Sequence, residues 1–233
     1  MPSRIIRKSF LTLAVVLLYF SLFFISRKLV AYRGLPERLL IKPGEFAVLV
    51  ALGGLKGVAA DLLYLKADQL WQEKKWKEMI PYYRAITVLQ PYYIDYWSIA
   101  GFHIAWNLSF AAKTPAEKES YIKQGVDFLK EGLNYNPDAY KLYFDLAFTY
   151  DHKLKDYGQA VEWYRKAINF PHLVYVERLI AHCLRKNGDL PAAYQEWQKL
   201  KDLYLDDEYH QDIVKRNLKS VEEEMIKSGQ KPE

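Results

Sequence analysis

The 233-residue sequence has a single cysteine, Cys183, and only 11 glycines and 10 prolines. One cysteine excludes an internal disulfide and any cysteine cluster for zinc or iron–sulfur. The histidines show no metal-ligand spacing such as H-E-x-x-H, and the chain has neither a G-x-G-x-x-G nor a Gly-Lys-Ser/Thr motif for phosphate. We therefore predict no metal, no cofactor and no catalytic residues. Since sheet-rich folds need more turn residues, the scarcity of glycine and proline favours helices.

Aromatic side chains are abundant instead, with 19 Tyr, 11 Phe and 6 Trp, and the excess positive charge lies at one end. Residues 1–60 hold nine basic and two acidic side chains, a balance of +7, and the other 24 basic and 26 acidic side chains give −2. A nucleic-acid-binding domain would carry its basic residues on the folded part of the chain. This distribution argues against a nucleic-acid partner and is typical of basic residues that flank a membrane segment.

Residues 9–26 form an uncharged, apolar run with basic residues on both sides. As a helix, this run spans about 27 Å, close to the thickness of the hydrocarbon core of a bilayer. The rival interpretation is a cleaved signal peptide, which needs small residues after the apolar run, whereas Phe23, Phe24 and Ile25 stand there. We predict an uncleaved transmembrane anchor.

From residue 58 onward, the pattern of apolar and small residues is helical and repeats. The tetratricopeptide pattern describes a pair of helices of about 34 residues, with W-x2-L-G-x2-Y in the first helix, A-x3-F in the second and then Pro. Two middle copies match it with Trp97, Ala100, Gly101, Ile104, Gly125, Leu129, Gly132 and Pro137, and with Tyr143, Leu146, Ala147, Tyr150, Ala160, Tyr164, Ala167 and Pro171. Two degenerate copies flank them, with Leu63, Ala67, Leu70, Met79, Tyr83 and Ile86 before and Ile180, Ala181, Leu184, Gly188, Asp189, Ala193, Trp197 and Leu200 after. Small residues in these positions are expected where two helices approach closely.

By these residues the chain resembles tetratricopeptide repeat (TPR) proteins over close to two thirds of its length. The resemblance implies a solenoid of helical hairpins whose first helices line a concave face. The distance from Pro91 to Pro137 exceeds one repeat by about 12 residues, and we place the excess around residues 107–118, at the hairpin turn or in lengthened helices. Residues 52–71 are also similar to a group of bacterial membrane-anchored repeat proteins of unknown function.

We therefore predict an all-α fold, a TPR-like helical-hairpin solenoid with an N-terminal single transmembrane helix and a C-terminal capping helix. The cap is indicated by an apolar stripe of Tyr209, Ile213, Val214, Leu218, Val221 and Met225. The predicted segments are a basic tail at 1–8, the anchor at 9–26, a linker with room for a short strand at 27–57, about four TPR-like repeats at 58–206, and a capping helix and tail at 207–233.

The charges that decide membrane orientation are nearly balanced, because three basic side chains and the amino group precede the anchor and five basic side chains follow it. A short basic tail followed at once by an apolar run is the layout of an export signal. We expect a single-pass protein of the bacterial inner membrane with its repeats outside the cytoplasm.

Positions of the first helices that lie off the core stripe are expected to face the concave groove. They combine aromatic and charged side chains, namely Tyr64, Asp68, Trp71, Phe102, Trp106, Phe144, Phe148, Asp151, Tyr175, Arg178, His182 and Arg185. Aromatics interleaved with charges suit an extended peptide or an amphipathic helix of a protein partner. The equally weighted alternative is that several of these aromatics pack within the domain.

The leading functional prediction is a non-enzymatic, membrane-anchored adaptor or scaffold that binds a protein partner through this groove, within an envelope complex. The alternative is an accessory subunit or enzyme that acts on an envelope polymer. In that case the acidic groove residues Asp61 and Asp68 would supply the chemistry.

Overall fold

The computed structural model describes residues 56–173, 175–204 and 208–231. The predicted basic tail, the membrane anchor and nearly all of the linker lie outside these residues. Within the three described stretches, no helix combines the length and the apolar character needed to cross a membrane. The chain divides into two compact units, Met1–Leu62 and Leu63–Glu233. The described part of the first unit, residues 56–62, is helical, and everything below concerns the second unit.

The described residues form helices joined by short turns, which confirms the all-α class for this part of the chain. The α-helices are α1 Lys56–Gln72, α2 Ile80–Leu89, α3 Ile94–Phe102, α4 Ser109–Ala111, α5 Pro115–Tyr135, α6 Tyr140–Thr149, α7 Tyr157–Ala167, α8 Tyr175–Lys186, α9 Leu190–Leu203 and α10 Glu208–Lys227. A 3-10 turn, Trp76–Met79, precedes α2, and π-helical segments follow α3 and α6 at His103–Leu108 and Tyr150–Leu154.

Consecutive helices pack as hairpins. We name them hairpin A (α3, its π-helical segment and α4 against α5), hairpin B (α6 and its π-helical segment against α7) and hairpin C (α8 against α9). Each hairpin also contacts the next, through α3 and α5 with α6 and through α7 with α8, and α10 packs on α9. This is the stacked arrangement of helix pairs that the sequence repeat predicts.

The second helix of each hairpin begins at a capping residue that can be identified in the sequence. At α7 the carboxylate of Asp156 accepts the N–H of Gln159, and at α9 that of Asp189 accepts the N–H of Ala192. Thr114 caps α5 in the same way. A side chain that satisfies one of the free N–H groups of the first turn stabilises a helix by about 1 kcal/mol.

Hairpin A is held by a contact between helix backbones. A Cβ atom at Gly125 would lie 2.7 Å from the amide nitrogen of Ala105 and 2.8 Å from the carbonyl oxygen of Gly101. A Cβ atom at Gly101 would lie 2.5 Å from Cδ2 of Leu129. The two helices therefore touch where the sequence predicted a close approach at Gly101. Helix α5 has 21 residues, and its partner continues beyond α3 to Ala111, so the additional residues of this repeat lengthen both helices.

The core of hairpins B and C continues into α10, whose inner side chains Val214, Leu218, Val221 and Met225 are buried. Tyr209 corrects the predicted stripe, because 71% of this residue is exposed. At 100° per residue, Tyr209 lies about 140° around the helix from Val214 and so faces away from the core. Helix α10 therefore closes the end of the array with a narrower apolar face than the sequence indicated.

Candidate binding surface

The first helices of hairpins A and B both end in π-helical segments, His103–Leu108 and Tyr150–Leu154. Such segments are rare and often occur at functional sites. At each one a buried hydroxyl, of Ser109 or Thr149, donates to the carbonyl oxygen four residues earlier, at 2.6 and 2.7 Å respectively. These side-chain bonds compete with the regular α-helical ladder. The first of these segments contains Trp106, a half-buried residue of hairpin A.

Five aromatic side chains from the three hairpins form a connected row, which we call the aromatic band: Phe102, Trp106, Phe148, Phe144 and Tyr175. The ring of Phe102 stacks on Trp106 with centroids 5.6 Å apart, and Trp106 stacks on Phe148 at 5.2 Å. Phe148 stacks on Phe144 at 5.8 Å, and Tyr175 meets Phe144 edge-on at 6.1 Å. The tertiary structure thus brings together five of the predicted groove residues.

The aromatic band packs on itself and also faces solvent. Phe102 is 48% exposed and Tyr175 is 37% exposed, and the other three members are half-buried. Phe110, four residues after Trp106, is 84% exposed and was not among the predicted groove residues. The π-helical segment His103–Leu108 lies between Phe102 and Phe110, so α-helical spacing from Phe102 and Trp106 does not decide which way Phe110 faces.

Of the predicted groove residues of α1, Trp71 lies beside His103, the neighbour of Phe102, whereas Tyr64 packs on Tyr96 with ring centroids 5.7 Å apart. Trp71 contacts the His103 ring, with centroids 4.7 Å apart, and stacks on Trp76 at 5.2 Å. Asp68 is exposed, whereas burial, with a smaller effect of Asp68, raises the pKa of Tyr64. Burial also lowers the pKa of His103, which favours its neutral form in spite of Asp68.

Two further residues near the band were not predicted as binding residues. The Lys153 ammonium lies 4.5 Å from the centre of the Trp106 ring, a cation–π contact. Burial, together with the charge of Lys118, lowers the pKa of Lys153. The His152 ring stacks on Phe148 with centroids 4.1 Å apart. His152 and Lys153 both lie in the π-helical segment Tyr150–Leu154, so their positions depend on that segment and not on α-helical spacing from Phe148.

Asp151 is a correction to the predicted groove. Its side chain is 2% exposed, and Oδ1 lies 2.8 Å from the Lys186 ammonium of hairpin C. The prediction placed Asp151 on the open face as a position off the core stripe, but Asp151 lies in the π-helical segment Tyr150–Leu154, where each turn contains more residues than in an α-helix. Asp151 is therefore a buried link between hairpins B and C, close enough to Cys183 to contribute, after burial, to raising that thiol's pKa to about 12.

The remaining predicted residues lie on α8. Arg185 donates from Nε to Glu224 of α10 at 3.1 Å and from Nη2 to Ser220 at 2.8 Å. The His182 ring meets the buried Trp197 edge-on at 5.0 Å. Burial lowers the pKa of His182, and the charges of the neighbouring basic residues of α8 act in the same direction.

Arg178 stands apart from these paired groups. Its Nη1 atom is buried and has no hydrogen-bond partner among the residues that the structure describes. The site as a whole presents aromatic rings and cationic side chains, which are suited to binding a ligand. Across residues 56–173, 175–204 and 208–231, no three His, Cys, Asp or Glu side chains are placed to hold a metal ion.

No model of a known protein family matches the sequence, and no curated protein matches it. Among solved structures, the chain is similar to the crystal structure of TTC0263, a thermophilic TPR protein in Thermus thermophilus. The two chains are 15% identical with a TM-score of 0.49, and the match covers 70% of this chain and 80% of that chain. The helical-hairpin architecture described above rests on the helices of this chain itself.

Proposed function

We propose that this chain is a scaffold protein that binds a segment of a protein partner along the aromatic band. The observation that carries the proposal is the connected row of rings from Phe102 to Tyr175, which crosses three hairpins and remains open to solvent at both of these residues. Aromatic side chains near the centre of an interface often supply most of its binding energy. A row of rings whose outer members, Phe102 and Tyr175, stay exposed among the described residues is therefore a surface on which a partner gains affinity.

The row suits a linear segment. An amphipathic helix would place apolar side chains at i, i+3, i+4 and i+7 on successive rings, and an extended peptide would use alternate side chains. Both forms bury apolar surface against Phe102, Trp106 and Phe148. The proposal needs no covalent chemistry at the site, since stacked rings and basic side chains bind a ligand without transforming it.

Membrane attachment and location belong to the same proposal. We place residues 9–26 across the inner membrane of a bacterium, with the repeats outside the cytoplasm as part of an envelope complex. The support is the apolar run and its basic flanks in the sequence. In intact spheroplasts, external protease should digest the repeats. Digestion only after lysis would reverse the orientation, and recovery of the protein in the soluble fraction would exclude the anchor.

The binding surface is tested by site-specific photocrosslinking in the cells that produce the protein. A photoreactive phenylalanine analogue replaces either Phe102 or Tyr209, both strongly exposed, the second on the outer face of α10. We expect a crosslinked protein from position 102 and none from position 209. With that protein purified, Phe102→Ala should weaken binding about 30-fold, the equivalent of about 2 kcal/mol, and Tyr209→Ala should leave it unchanged.

The same crosslinks from both positions would argue against the aromatic band as the binding surface. So would unchanged affinity of Phe102→Ala. Because Phe102 is half-exposed, its truncation should leave the melting temperature close to that of the parent chain, which separates loss of binding from loss of folding.

A further inference from the structure

We infer that the segment bound by the aromatic band carries a carboxylate beside its apolar anchors, and that Arg178 binds this carboxylate. The inference rests on the proposed function of the band. It adds the charge of the partner segment and the place in hairpin C where that charge is recognised.

The position of Arg178 links it to the band. Arg178 lies on α8 one turn after Tyr175 and one turn before His182, so the three side chains share a helical face. Tyr175 is the member of the band that hairpin C contributes, through its edge-on contact with Phe144. A ligand that covers Tyr175 therefore lies one helical turn from Arg178.

The hydrogen bonding of Arg178 is incomplete. Its Nη1 atom is buried without a partner among the described residues, although a guanidinium nitrogen that leaves water normally finds an acceptor. A buried donor without an acceptor costs free energy, and because Nη1 is closed to solvent, the Arg178 side chain has to turn toward an incoming acceptor to recover it. A carboxylate is the best match, because it pairs with the planar guanidinium through two parallel hydrogen bonds.

The other basic residues of α8 already have partners. Arg185 is bound to Glu224, and Lys186 is bound to the buried Asp151. Within the part of the chain that the structure describes, no ion pair involves Arg178. Of the three basic residues of α8, Arg178 is therefore the one placed to bind an external acid.

A second cation stands at the other side of the band. The Lys153 ammonium lies over the Trp106 ring and donates to Ser109 Oγ at 3.4 Å, and no carboxylate in residues 56–173, 175–204 or 208–231 forms an ion pair with it. The charge that acts on Lys153 is another lysine, Lys118. The band thus has a cation near each side: Lys153 over the Trp106 ring of hairpin A, and Arg178 on hairpin C. Such surroundings attract an acidic segment and repel a basic one.

The test uses three fluorescent synthetic peptides and the full 233-residue chain in detergent. The peptides are amphipathic helices of about 16 residues with identical Leu and Phe anchors, and their polar positions carry Glu, Gln or Lys. Fluorescence anisotropy at constant ionic strength measures each affinity. We expect the Glu peptide to bind about tenfold more tightly than the Gln peptide, and the Lys peptide to bind most weakly.

Variants then assign this preference to a residue. Arg178→Gln should remove most of the tenfold preference for Glu while leaving the affinity for the Gln peptide within about twofold. Arg178→Lys keeps the charge but loses the paired hydrogen bonds, so it should retain part of the preference. The matched control is Arg216→Gln on α10, where the arginine side chain is 69% exposed, and it should change no affinity.

The possible failures are distinguishable. Equal binding of the Glu and Gln peptides, or an equal loss for both in Arg178→Gln, would overturn the inference alone, provided that Phe102→Ala weakens all three peptides. If no peptide binds, or if Phe102→Ala changes none of the affinities, the amphipathic-helix form of the proposed function fails and the inference fails with it. Should Arg178→Gln not fold, Arg178→Lys decides, because an unchanged preference for Glu in that variant would exclude Arg178.

Discussion

Hairpins A and C join their helices in different ways. In hairpin A, Gly125 lies against backbone atoms of Ala105 and Gly101, and the Leu129 side chain packs directly on Gly101. In hairpin C, the buried Trp197 takes part in the core together with Ala181 and Ala193. Hairpin A buries rings as well, since Gly132 faces the buried ring of Trp97. The difference is that glycine brings backbone into direct contact in hairpin A, whereas side chains fill the core of hairpin C.

The largest loss of stability should come from Gly125→Ala, which removes the backbone contact that distinguishes hairpin A from hairpin C. The new Cβ atom would meet backbone atoms of Ala105 and Gly101 at 2.7 and 2.8 Å, and backbone cannot move aside as a side chain can. We expect a loss of about 3 kcal/mol or more in the free energy of unfolding, measured by urea denaturation.

The matched control for Gly125→Ala is Gly158→Ala in α7, where the nearest atom to a new Cβ is Asp156 Oδ1 at 3.7 Å, an ordinary contact. This variant should be neutral or slightly stabilising, because alanine favours helix. Similar free energies of unfolding for the two variants would show that backbone contact is not what closes hairpin A.

A smaller effect should follow from Lys186→Met, which weakens the link between hairpins B and C. It leaves the Asp151 carboxylate buried without its lysine. Removing one partner of a fully buried pair typically costs about 3–5 kcal/mol, and since the Lys186 side chain is 43% exposed we expect about 2 kcal/mol.

The double variant Lys186→Met, Asp151→Asn removes the uncompensated charge as well and should regain part of the lost stability. If the losses of the two single variants simply add in the double variant, Asp151 and Lys186 do not act as a pair.

The smallest loss of stability should come from removing the ion pair that links hairpin C to α10. Arg185 donates to Glu224 and holds the pKa of this carboxylate below its usual 4.5. A carboxylate with a lowered folded-state pKa adds stability at neutral pH, and this contribution is lost as the pH falls below 4.5 and through the folded-state pKa. Because the Glu224 side chain is 41% exposed, the contribution should be under about 1 kcal/mol.

Melting temperatures of Glu224→Gln and of the parent chain should therefore differ slightly at about pH 7, and the difference should shrink as the pH falls below 4.5. The neighbouring Glu223 is exposed, and Glu223→Gln serves as the control with no expected difference at either pH. An equal effect of the two substitutions would assign the change to net charge and not to the Arg185 pair.

Much of the described fold could be predicted because it depends on local rules. Asp156 and Asp189 precede their helices as capping residues do, and Gly101 stands where two helices must approach. The inner stripe of α10 follows helical spacing from Val214 to Met225, and only Tyr209, at its outer end, was assigned to the wrong face. Periodicity identifies which side of a regular helix is apolar, and these helices are regular where the prediction was right.

The candidate surface could be predicted in part for the same reason. Phe102, Phe144 and Phe148 lie on regular turns or directly at their ends, and in the structure their rings are members of the aromatic band. Asp151 and Lys153 lie within a π-helical segment, where counting by about 3.6 residues per turn fails. The first was placed on the open face and is buried, and the second was not considered and lies on the band.

By itself, the amino-acid sequence determined which residues are apolar, small or capping, and hence the helices, their order and the aromatic content of the first helices. The tertiary structure alone decided that rings from three hairpins stack into one band, that Asp151 pairs with Lys186, and that Nη1 of Arg178 is buried without an acceptor among the described residues. The physical reason is how far apart in the chain the interacting residues lie. Helix propensity and capping act between residues a few positions apart, whereas stacking, ion pairing and burial depend on side chains that are distant in the chain and meet only when the hairpins pack.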